Sequence, residues 1–267
     1  MEKHKSANVS VVSDFMATVD IIIPFRGQYE KVTKLVESIY RLTRTNYFNI
    51  CLVDDCSPNQ DYMNMVARNV EKTAMRRRVN NNLKVVRCEE QKGFAGALRL
   101  GYESTDGPYV CFVNSDCVVE DANWLRAMGE SLLSLKHDGV RMVSAMSDNI
   151  VGGHDSQLGE KTTHKDDVVL EKGDHLSMYC VLAHRELFPK CHGFLREYPY
   201  GMYEDEEFSH RMWSCGFKQA VCRKSWIAHE GMATIRSLWR ANPNLRTIME
   251  DDNRNRCIED IKKLGSR

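Results

Sequence analysis

Short apolar runs alternate with longer segments of helical periodicity through the first half of the chain. Apolar side chains recur at every third or fourth position in residues 30–43, which predicts an amphipathic helix there. The same reasoning predicts further helices over residues 62–78, 93–102 and 124–135, and strands over residues 19–25, 49–53, 83–87 and 109–113. Strands and helices in this order form a Rossmann-like, mostly parallel sheet with helices on both faces, so the expected fold class is α/β.

Polar side chains stand at the ends of three of these predicted strands. Arg26 follows the first strand, Asp54 and Asp55 follow the second, and Asp116 follows the fourth. Ligands of open α/β sheets bind outside the carboxyl ends of the strands, so we expect these side chains to line one crevice. Carboxylates there suit a divalent cation and a phosphate-containing ligand, because Mg²⁺ and Mn²⁺ prefer oxygen donors. Each segment, taken alone, is equally typical of a turn that ends a strand.

The charge balance and the short apolar runs exclude several other classes of protein. Lys+Arg and Asp+Glu both number 37, so the formal net charge is +0 and the basic surface typical of a nucleic-acid-binding protein is missing. No apolar run approaches the roughly 20 residues of a membrane helix. Residues 1–20 also lack the apolar stretch of a secretory signal peptide. We therefore expect a soluble, cytoplasmic protein.

The ten cysteines raise the question of disulfides or of a metal site. No Cys-x-x-Cys pair occurs, and Cys51, Cys111 and Cys180 lie inside apolar, strand-like runs. Buried thiols in a reducing compartment behave as small apolar side chains. The cysteines are therefore expected to be unpaired structural thiols.

The second half of the chain has a weaker pattern. Residues 148–174 are polar and aperiodic, and a loop of this length is expected to be a lid, a binding loop or disordered. A strand is predicted over residues 176–183, a helix over residues 202–215, and a mostly helical, charged extension from residue 234 onward.

Four acidic residues, Glu204 to Glu207, open the predicted helix at residues 202–215. Acidic side chains are electrostatically favoured at a helix N-terminus, which accounts for them without any chemistry. Successive helix positions diverge by about 100°, so Glu204 and Asp205 are not expected to face one reacting atom together. The pattern fits a single positioned base better than the paired carboxylates of a glycoside hydrolase.

Short motifs with sensible spacing connect these features. They are Val19-Asp20-Ile21-Ile22-Ile23-Pro24, Leu52-Val53-Asp54-Asp55-Cys56-Ser57, Gly93-Phe94-Ala95-Gly96-Ala97, Phe112-Val113-Asn114-Ser115-Asp116, Tyr203-Glu204-Asp205 and Ala228-His229-Glu230-Gly231. In this order they resemble the family 2 glycosyltransferases of the GT-A fold, from about Val19 to Thr234. The resemblance implies a GT-A domain over residues 19–233, with a nucleotide-binding half at 19–120 and an acceptor half at 121–233. A loose tail at residues 1–18 and a helical C-terminal extension at residues 234–267 would flank it.

The resemblance also implies a role for each motif. Asp205 matches the catalytic base, and Asp116 matches the aspartate that holds Mn²⁺ or Mg²⁺ on the diphosphate. His229 matches a position that in some relatives helps to bind the metal or the diphosphate, although a surface or core histidine would explain it equally well. The residues expected to contact the nucleotide or its sugar are Pro24, Phe25, Arg26, Asp54, Asp55, Gly93, Phe94, Asn114, Ser115 and Glu204.

One position departs from the family pattern. The first aspartate of the family's Asp-x-Asp motif is Asn114 in this chain, which removes a negative charge. Metal binding without substrate is therefore expected to be weak. Rhamnosyltransferase-like members share this asparagine, whereas Pro24-Phe25-Arg26 resembles galactosyltransferases of a neighbouring family, so the donor sugar stays open.

The resemblance implies an inverting, metal-dependent hexosyl- or deoxyhexosyltransferase, as used in polysaccharide biosynthesis. It would move a sugar from a UDP-, dTDP- or GDP-linked donor to a hydroxyl of a glycan, lipid-linked or protein-linked acceptor. A sugar nucleotidyltransferase and an inactive carbohydrate-binding relative are the alternatives, the second because of Asn114. Arg236, Trp239, Arg240 and Arg246 also allow contact with a membrane surface, although packing of this helix on the domain would explain them equally well.

Overall fold

The computed structural model describes residues 17–44, 47–77, 83–161 and 166–265. Of the loose tail expected at residues 1–18, residues 1–16 lie outside the described residues.

The first half of the chain forms the parallel part of a mixed sheet. Strand β1 pairs in parallel with β2 on one side and with β4 on the other, and β3 extends the sheet beyond β2. The elements are β1 (Val19–Phe25), α1 (Tyr29–Leu42), β2 (Phe48–Asp54), α2 (Gln60–Arg77), β3 (Leu83–Arg87), α3 (Gly93–Glu103) and β4 (Tyr109–Val113). The predicted α/β fold class and all four strands expected in this half are confirmed.

The second half completes the sheet with strands of both directions. The strand order over the described residues is β3-β2-β1-β4-β8-β6-β9-β5, with β7 paired to β9. Its elements are β5 (Cys117–Val119), α4 (Trp124–Ser134), β6 (Val140–Met146), β7 (Val168–Val169), β8 (Cys180–His184), α5 (Leu187–Lys190), α6 (Glu204–Ser214) and β9 (Lys218–His229). Strand β8 runs antiparallel to both β4 and β6, so the continuous set of parallel strands from β3 to β4 ends there. Strands β6 and β9 are again parallel to each other.

Four strands of this half were not predicted from the sequence, and one was predicted too long. Strands β5 and β7 are only three and two residues long, Arg141 interrupts β6, and Arg223 and Lys224 interrupt β9. The strand expected over residues 176–183 starts only at Cys180. Leu176 and Met178 before it are buried for another reason, because they pack in the core as part of a loop.

The C-terminal extension is helical, as expected. It consists of α7 (Ala233–Ala241), α8 (Leu245–Thr247), a π-helical turn at Ile248–Asp252 and α9 (Asn253–Gly265). Helix α9 packs against α6. Among the described residues, no helix combines the length and the apolar character that crossing a membrane requires.

Two apolar layers cover the two faces of the sheet. One contains the buried sides of α1 and α4 together with Ile21 and Ile23 of β1, and the other contains α3 and α6 together with Ile22 of the same strand. Alternate residues of β1 therefore serve opposite layers, as the pleat of a strand requires. All ten cysteines are unpaired and eight of them are buried, which confirms the expectation of structural thiols.

A buried ion pair joins the two halves of the chain. Asp20 of β1 is 1% exposed and accepts hydrogen bonds from the Asn49 amide (2.9 Å), the Gly107 backbone N–H (2.6 Å) and Arg185 (2.8 Å). Arg185 follows β8 and also donates to the carbonyls of Gly107 and Tyr102. The pair therefore closes the amino-terminal edge of the sheet, away from the predicted crevice.

Replacing Asp20 should destabilise the protein strongly. The change Asp20→Ala leaves the Arg185 charge without its partner, and loss of one member of a buried pair typically costs about 3–5 kcal/mol. Urea denaturation measures the loss of the free energy of unfolding. The exposed pair between Lys190 and Glu186 is the control, since Glu186→Ala should cost less than about 1 kcal/mol. Equal effects of the two substitutions would contradict this role for Asp20.

Candidate functional site

A cavity of about 480 Å³ opens at the carboxyl ends of β1, β2 and β4. Helix α7 and the start of α6 form its other walls. The predicted site residues in its lining are Pro24, Phe25, Arg26, Asp55, Gly93, Phe94, Asn114, Ser115, Asp116, Glu204, Asp205 and His229. The position of the crevice at the strand ends is therefore the one that the sheet order leads us to expect.

Asp55 anchors one end of the cavity. Its carboxylate accepts hydrogen bonds from the backbone N–H groups of Lys92 (2.6 Å) and Gly93 (3.1 Å) at the start of α3. Burial raises the pKa of Asp55, and these two N–H groups offset part of the rise. Arg26 lies beside it and donates to the carbonyls of Asp55 (2.8 Å) and Cys56. The pair offers both a hydrogen-bond acceptor and a cation to a ligand in the cavity.

Asp54 does not line this cavity, unlike its neighbour. Its side chain is fully buried, where it accepts hydrogen bonds from the Ser57 backbone N–H (2.9 Å) and from Arg87. Arg87 also donates to the Ser57 carbonyl (2.9 Å). The structure therefore corrects the nucleoside contact expected of Asp54: this carboxylate folds the turn after β2 and thereby directs Asp55 into the cavity.

Asp116 and His229 meet at the opposite end, because β5 pairs with β9. The register sets Cys117 opposite His229, and the His229 Nε2 atom lies 3.3 Å from Oδ1 of Asp116. The His229 Nδ1–H donates to the Asn149 carbonyl (2.9 Å), which leaves Nε2 facing the carboxylate. Burial alone would raise the pKa of Asp116, but the interaction with His229 outweighs it and lowers this pKa. Asp116 is therefore ionised at neutral pH.

The residues at this end fit a divalent cation. Asp116 and His229 supply oxygen and nitrogen donors. The Asn114 amide lies beside them, with its Nδ2 atom 3.5 Å from the His229 Nε2 atom and its Oδ1 atom buried without a hydrogen-bond partner among the described residues. The Sγ atom of Cys117 also lies within 4.8 Å of the donor atoms of Asp116 and His229. Its thiol, however, contacts the Tyr179 carbonyl (3.6 Å), and burial raises its pKa well above the usual value. A donor set of carboxylate, amide oxygen and imidazole suits Mn²⁺ or Mg²⁺ better than a thiol-binding metal.

Glu204 and Asp205 lie at the start of α6, and both line the cavity. Glu204 is 5% exposed, and its Oε2 atom has no hydrogen-bond partner among the described residues. Burial, reinforced by the charge of Asp205, raises the pKa of Glu204 to about 8. Burial also raises the pKa of Asp205, and His175 partly opposes that rise. The Oδ1 atom of Asp205 accepts from the Glu206 backbone N–H (2.9 Å).

The segment expected to be a lid is a structured wall over its described residues, 148–161 and 166–174. Gln157 is fully buried, and its amide bonds both the backbone N–H and the carbonyl of Ser177 (2.9 Å each). His175 accepts from the Gly153 backbone N–H (3.1 Å). These contacts hold Val151, Gly152, His175 and Ser177 in the cavity lining.

Most of this wall, and the apolar side of the cavity formed by α7, were not predicted from the sequence. The missed lining residues include His175, Ser177, Met178, Tyr200, Met232, Ile235 and Leu238. They lie in aperiodic segments or on the amphipathic helix α7, where no local pattern distinguishes a cavity wall from ordinary packing. The apolar residues of the amphipathic helix α7 were the one signal available in the sequence. In the structure none of the residues of α7 is fully buried.

The raised pKa of Glu204 predicts a pH-dependent stability. The folded protein holds a proton on this carboxyl up to about pH 8, whereas the unfolded chain releases it near pH 4.5. Protonation therefore favours the folded state, and its contribution decreases as the pH rises through this window. We expect the free energy of unfolding to fall more steeply between pH 5 and pH 8 in the wild type than in Glu204→Gln, as measured by urea denaturation. Parallel curves for the two proteins would show that Glu204 has an ordinary pKa.

Solved structures with a similar fold come from several glycosyltransferases. GalNAc-T7 with UDP, GalNAc and Mn²⁺ is 18% identical with a TM-score of 0.59, over 80% of this chain and 44% of that one. TarS 1-349 of S. aureus with UDP-GlcNAc is 16% identical with a TM-score of 0.58, over 79% and 58% of the two chains. The mannosyltransferase PcManGT from Pyrobaculum calidifontis with GDP-Man and Mn²⁺ is 14% identical with a TM-score of 0.58, over 80% and 56%.

These similarities show the GT-A fold. The chain spans about half the length of these three solved structures. A comparison with curated proteins finds no match. The model of glycosyl transferase family 2 matches residues 20–190, which is well over half of the chain and extends from β1 to α5. The chain therefore belongs to glycosyl transferase family 2.

Proposed function

We propose that the protein transfers a sugar from a nucleoside-diphosphate sugar to a hydroxyl group of an acceptor, with inversion at the anomeric carbon. The observation that carries this proposal is the arrangement of one cavity. Asp55 lies at its nucleoside end, the Asp116–His229 pair lies at its metal end, and Asp205 projects from a third wall. A donor with a base, a diphosphate and a sugar has chemical groups that match this arrangement.

The nucleoside half of the donor would bind against β1, β2 and α3. Asp55 and Arg26 would hydrogen-bond the base or ribose, with Pro24 and Phe25 beside them. The backbone of Gly93 would approach the nucleotide closely, since glycine has no Cβ in the way. The solved structures contain UDP, UDP-GlcNAc and GDP-Man, which supports a UDP- or GDP-linked donor in this chain; a dTDP-linked donor rests on the sequence resemblance alone.

Asp116, His229 and the amide oxygen of Asn114 would hold Mn²⁺ or Mg²⁺ at the diphosphate. When bound, the cation neutralises the charge that develops on the departing diphosphate. The low pKa of Asp116 keeps its carboxylate available at neutral pH. Two of the solved structures contain Mn²⁺, which supports a metal at this position.

Asp205 is the better candidate for the base. Burial and the charge of Asp205 raise the pKa of Glu204, which favours its protonated form at neutral pH. In the proposed step, Asp205 takes the proton of the acceptor hydroxyl while the oxygen of that hydroxyl bonds to the anomeric carbon. The bond from that carbon to the diphosphate oxygen breaks, and its electron pair leaves with the nucleoside diphosphate. Water is kept out by the wall at residues 151–152 and 175–178 and by the apolar side chains of α7.

The two adjacent carboxyl groups allow a matched test of the base. Asp205→Asn should lower kcat about 10²- to 10⁴-fold, the usual contribution of a general base, while nucleotide binding is retained. Glu204→Gln keeps a neutral group in place of a protonated one and should lower kcat far less. Radiolabelled sugar transfer measures kcat, and calorimetry measures nucleotide binding. A greater loss in Glu204→Gln than in Asp205→Asn would transfer the role to Glu204, and no loss in either would favour a carbohydrate-binding protein.

Asn114 allows a test of the metal site by gain of affinity. Asn114→Asp restores a second carboxylate beside Asp116 and should tighten Mn²⁺ binding in the absence of nucleotide by about tenfold or more, because hard cations bind more tightly as ligand charge increases. Calorimetric titration with Mn²⁺ measures this change. Asp116→Asn is the opposing control and should abolish binding. Unchanged Mn²⁺ affinity in both variants would place the cation elsewhere.

A further inference from the structure

The loop before α6 has an unusual backbone. Four consecutive residues, Tyr200 to Tyr203, have positive φ angles of 64°, 107°, 79° and 72°. Glycine adopts such angles readily, but only Gly201 of the four is a glycine. Residues held in sparsely populated backbone regions persist only where the surrounding structure enforces them, and they occur often at functional sites. Glu204 and Asp205 follow this run directly.

One buried side chain from the C-terminal extension contacts the loop on both sides of Tyr200. The Nδ2 group of Asn253 donates one hydrogen bond to the Pro199 carbonyl (2.9 Å) and a second to the Gly201 carbonyl (2.8 Å). Asn253 is 0% exposed, and it is the first residue of α9, directly after the π-helical turn. Such turns insert an extra residue into a helix and are frequent near functional sites.

The opposite side of the loop lies against the nucleotide-binding half. A Cβ added to Gly93 would lie only 3.2 Å from the carbonyl carbon of Tyr200 and 3.3 Å from its Cα. Gly93 also donates its backbone N–H to Asp55. The loop is therefore held between the start of α3 and the start of α9.

The identity of residue 253 is not explained by the stability of its own helix. Asparagine is a weaker helix former than leucine, and the Oδ1 atom of Asn253 is buried without a hydrogen-bond partner among the described residues. A buried polar atom left unpaired costs free energy. What asparagine supplies, and an apolar residue of similar size would not, is a pair of N–H donors for the two loop carbonyls.

We propose that Asn253 is a positioning residue that holds residues 200–203 in the left-handed form and so directs Glu204 and Asp205 into the cavity. This inference rests on the proposed function, because it assigns the base to the start of α6. It extends the active machinery to the C-terminal helices, which lie beyond the segment that the family model matches. Asn253 does not touch the substrate in this account and acts only through the loop.

Two substitutions at residue 253 and one matched control test the proposal. Asn253→Leu removes both donors and keeps the branched outline of the side chain with a larger volume, and Asn253→Ser keeps one hydroxyl donor in a smaller side chain. The control is Asn49→Leu, the same substitution at an amide that donates to Asp20 (2.9 Å) at the opposite edge of the sheet and does not line the cavity. Hydrogen exchange of the peptide at residues 199–207 and steady-state kinetics with the donor and Mn²⁺ are measured for all three.

We expect Asn253→Leu to speed exchange at residues 199–207 and to lower kcat by about 10- to 100-fold, since small misplacements of a reacting group have effects of this size. The KM for the donor should change less than about threefold, and Asn253→Ser should lie between Asn253→Leu and the wild type. Asn49→Leu should affect neither the loop exchange nor kcat, even where its melting temperature falls as far.

Unchanged exchange at residues 199–207 in Asn253→Leu would overturn the proposal, as would an unchanged kcat. The exchange measurement needs no donor, so it tests the contact even where transfer is absent. A wild-type protein without transfer activity on any nucleotide sugar would instead contradict the proposed function and, with it, the catalytic role given to Asn253.

Discussion

The pairing of β5 with β9 determines the chemistry of the cavity. Its register brings His229, from the end of a 12-residue strand, to within 3.3 Å of Asp116, which precedes a strand of only three residues. The Asp116 carboxylate also accepts from the Ala233 backbone N–H (3.2 Å) at the start of α7. One side chain thus links the candidate metal site to the helix that covers the cavity. A shift of one residue in the register would turn His229 to the other face of the sheet and remove the site.

Burial and neighbouring charges give the carboxyl groups of the cavity different properties. Asp116 has a lowered pKa because of His229, whereas Glu204 has a raised pKa because burial and Asp205 oppose its ionisation. Divergent pKa values within one site are what allow one carboxyl group to bind a cation while another stays protonated. Glu204 and Asp205 also show a limit of the helical-wheel argument. Both line the cavity, because a cavity wall is wider than a single reacting atom.

The sequence was sufficient for the first half of the fold and for the polar residues at the strand ends of the cavity, but not for most of the cavity lining. Strands β1 to β4 have short apolar runs followed by polar residues, and this local signal is enough to place Asp55 and Asp116 at one edge of the sheet. The directions of Asp54 and Asp55 could not be separated, because both follow the same strand and the partner of Asp54, Arg87, lies on another strand. Asn253 gave no signal at all, since its function depends on two carbonyls more than 50 residues earlier in the chain. Interactions of this kind become visible only when the tertiary structure is known.

In the proposed function, one cavity would hold a metal-bound nucleoside diphosphate against Asp116 and His229 while Asp205 faces the anomeric carbon. A crystal structure with Mn²⁺ and UDP, and a second with GDP, would test it most directly through the anomalous signal of manganese. We expect a manganese peak in the anomalous difference map between the Asp116 carboxylate and the His229 Nε2 atom, with the nucleoside beside Asp55. A peak that contacts neither side chain, or a nucleotide bound outside this cavity, would contradict it.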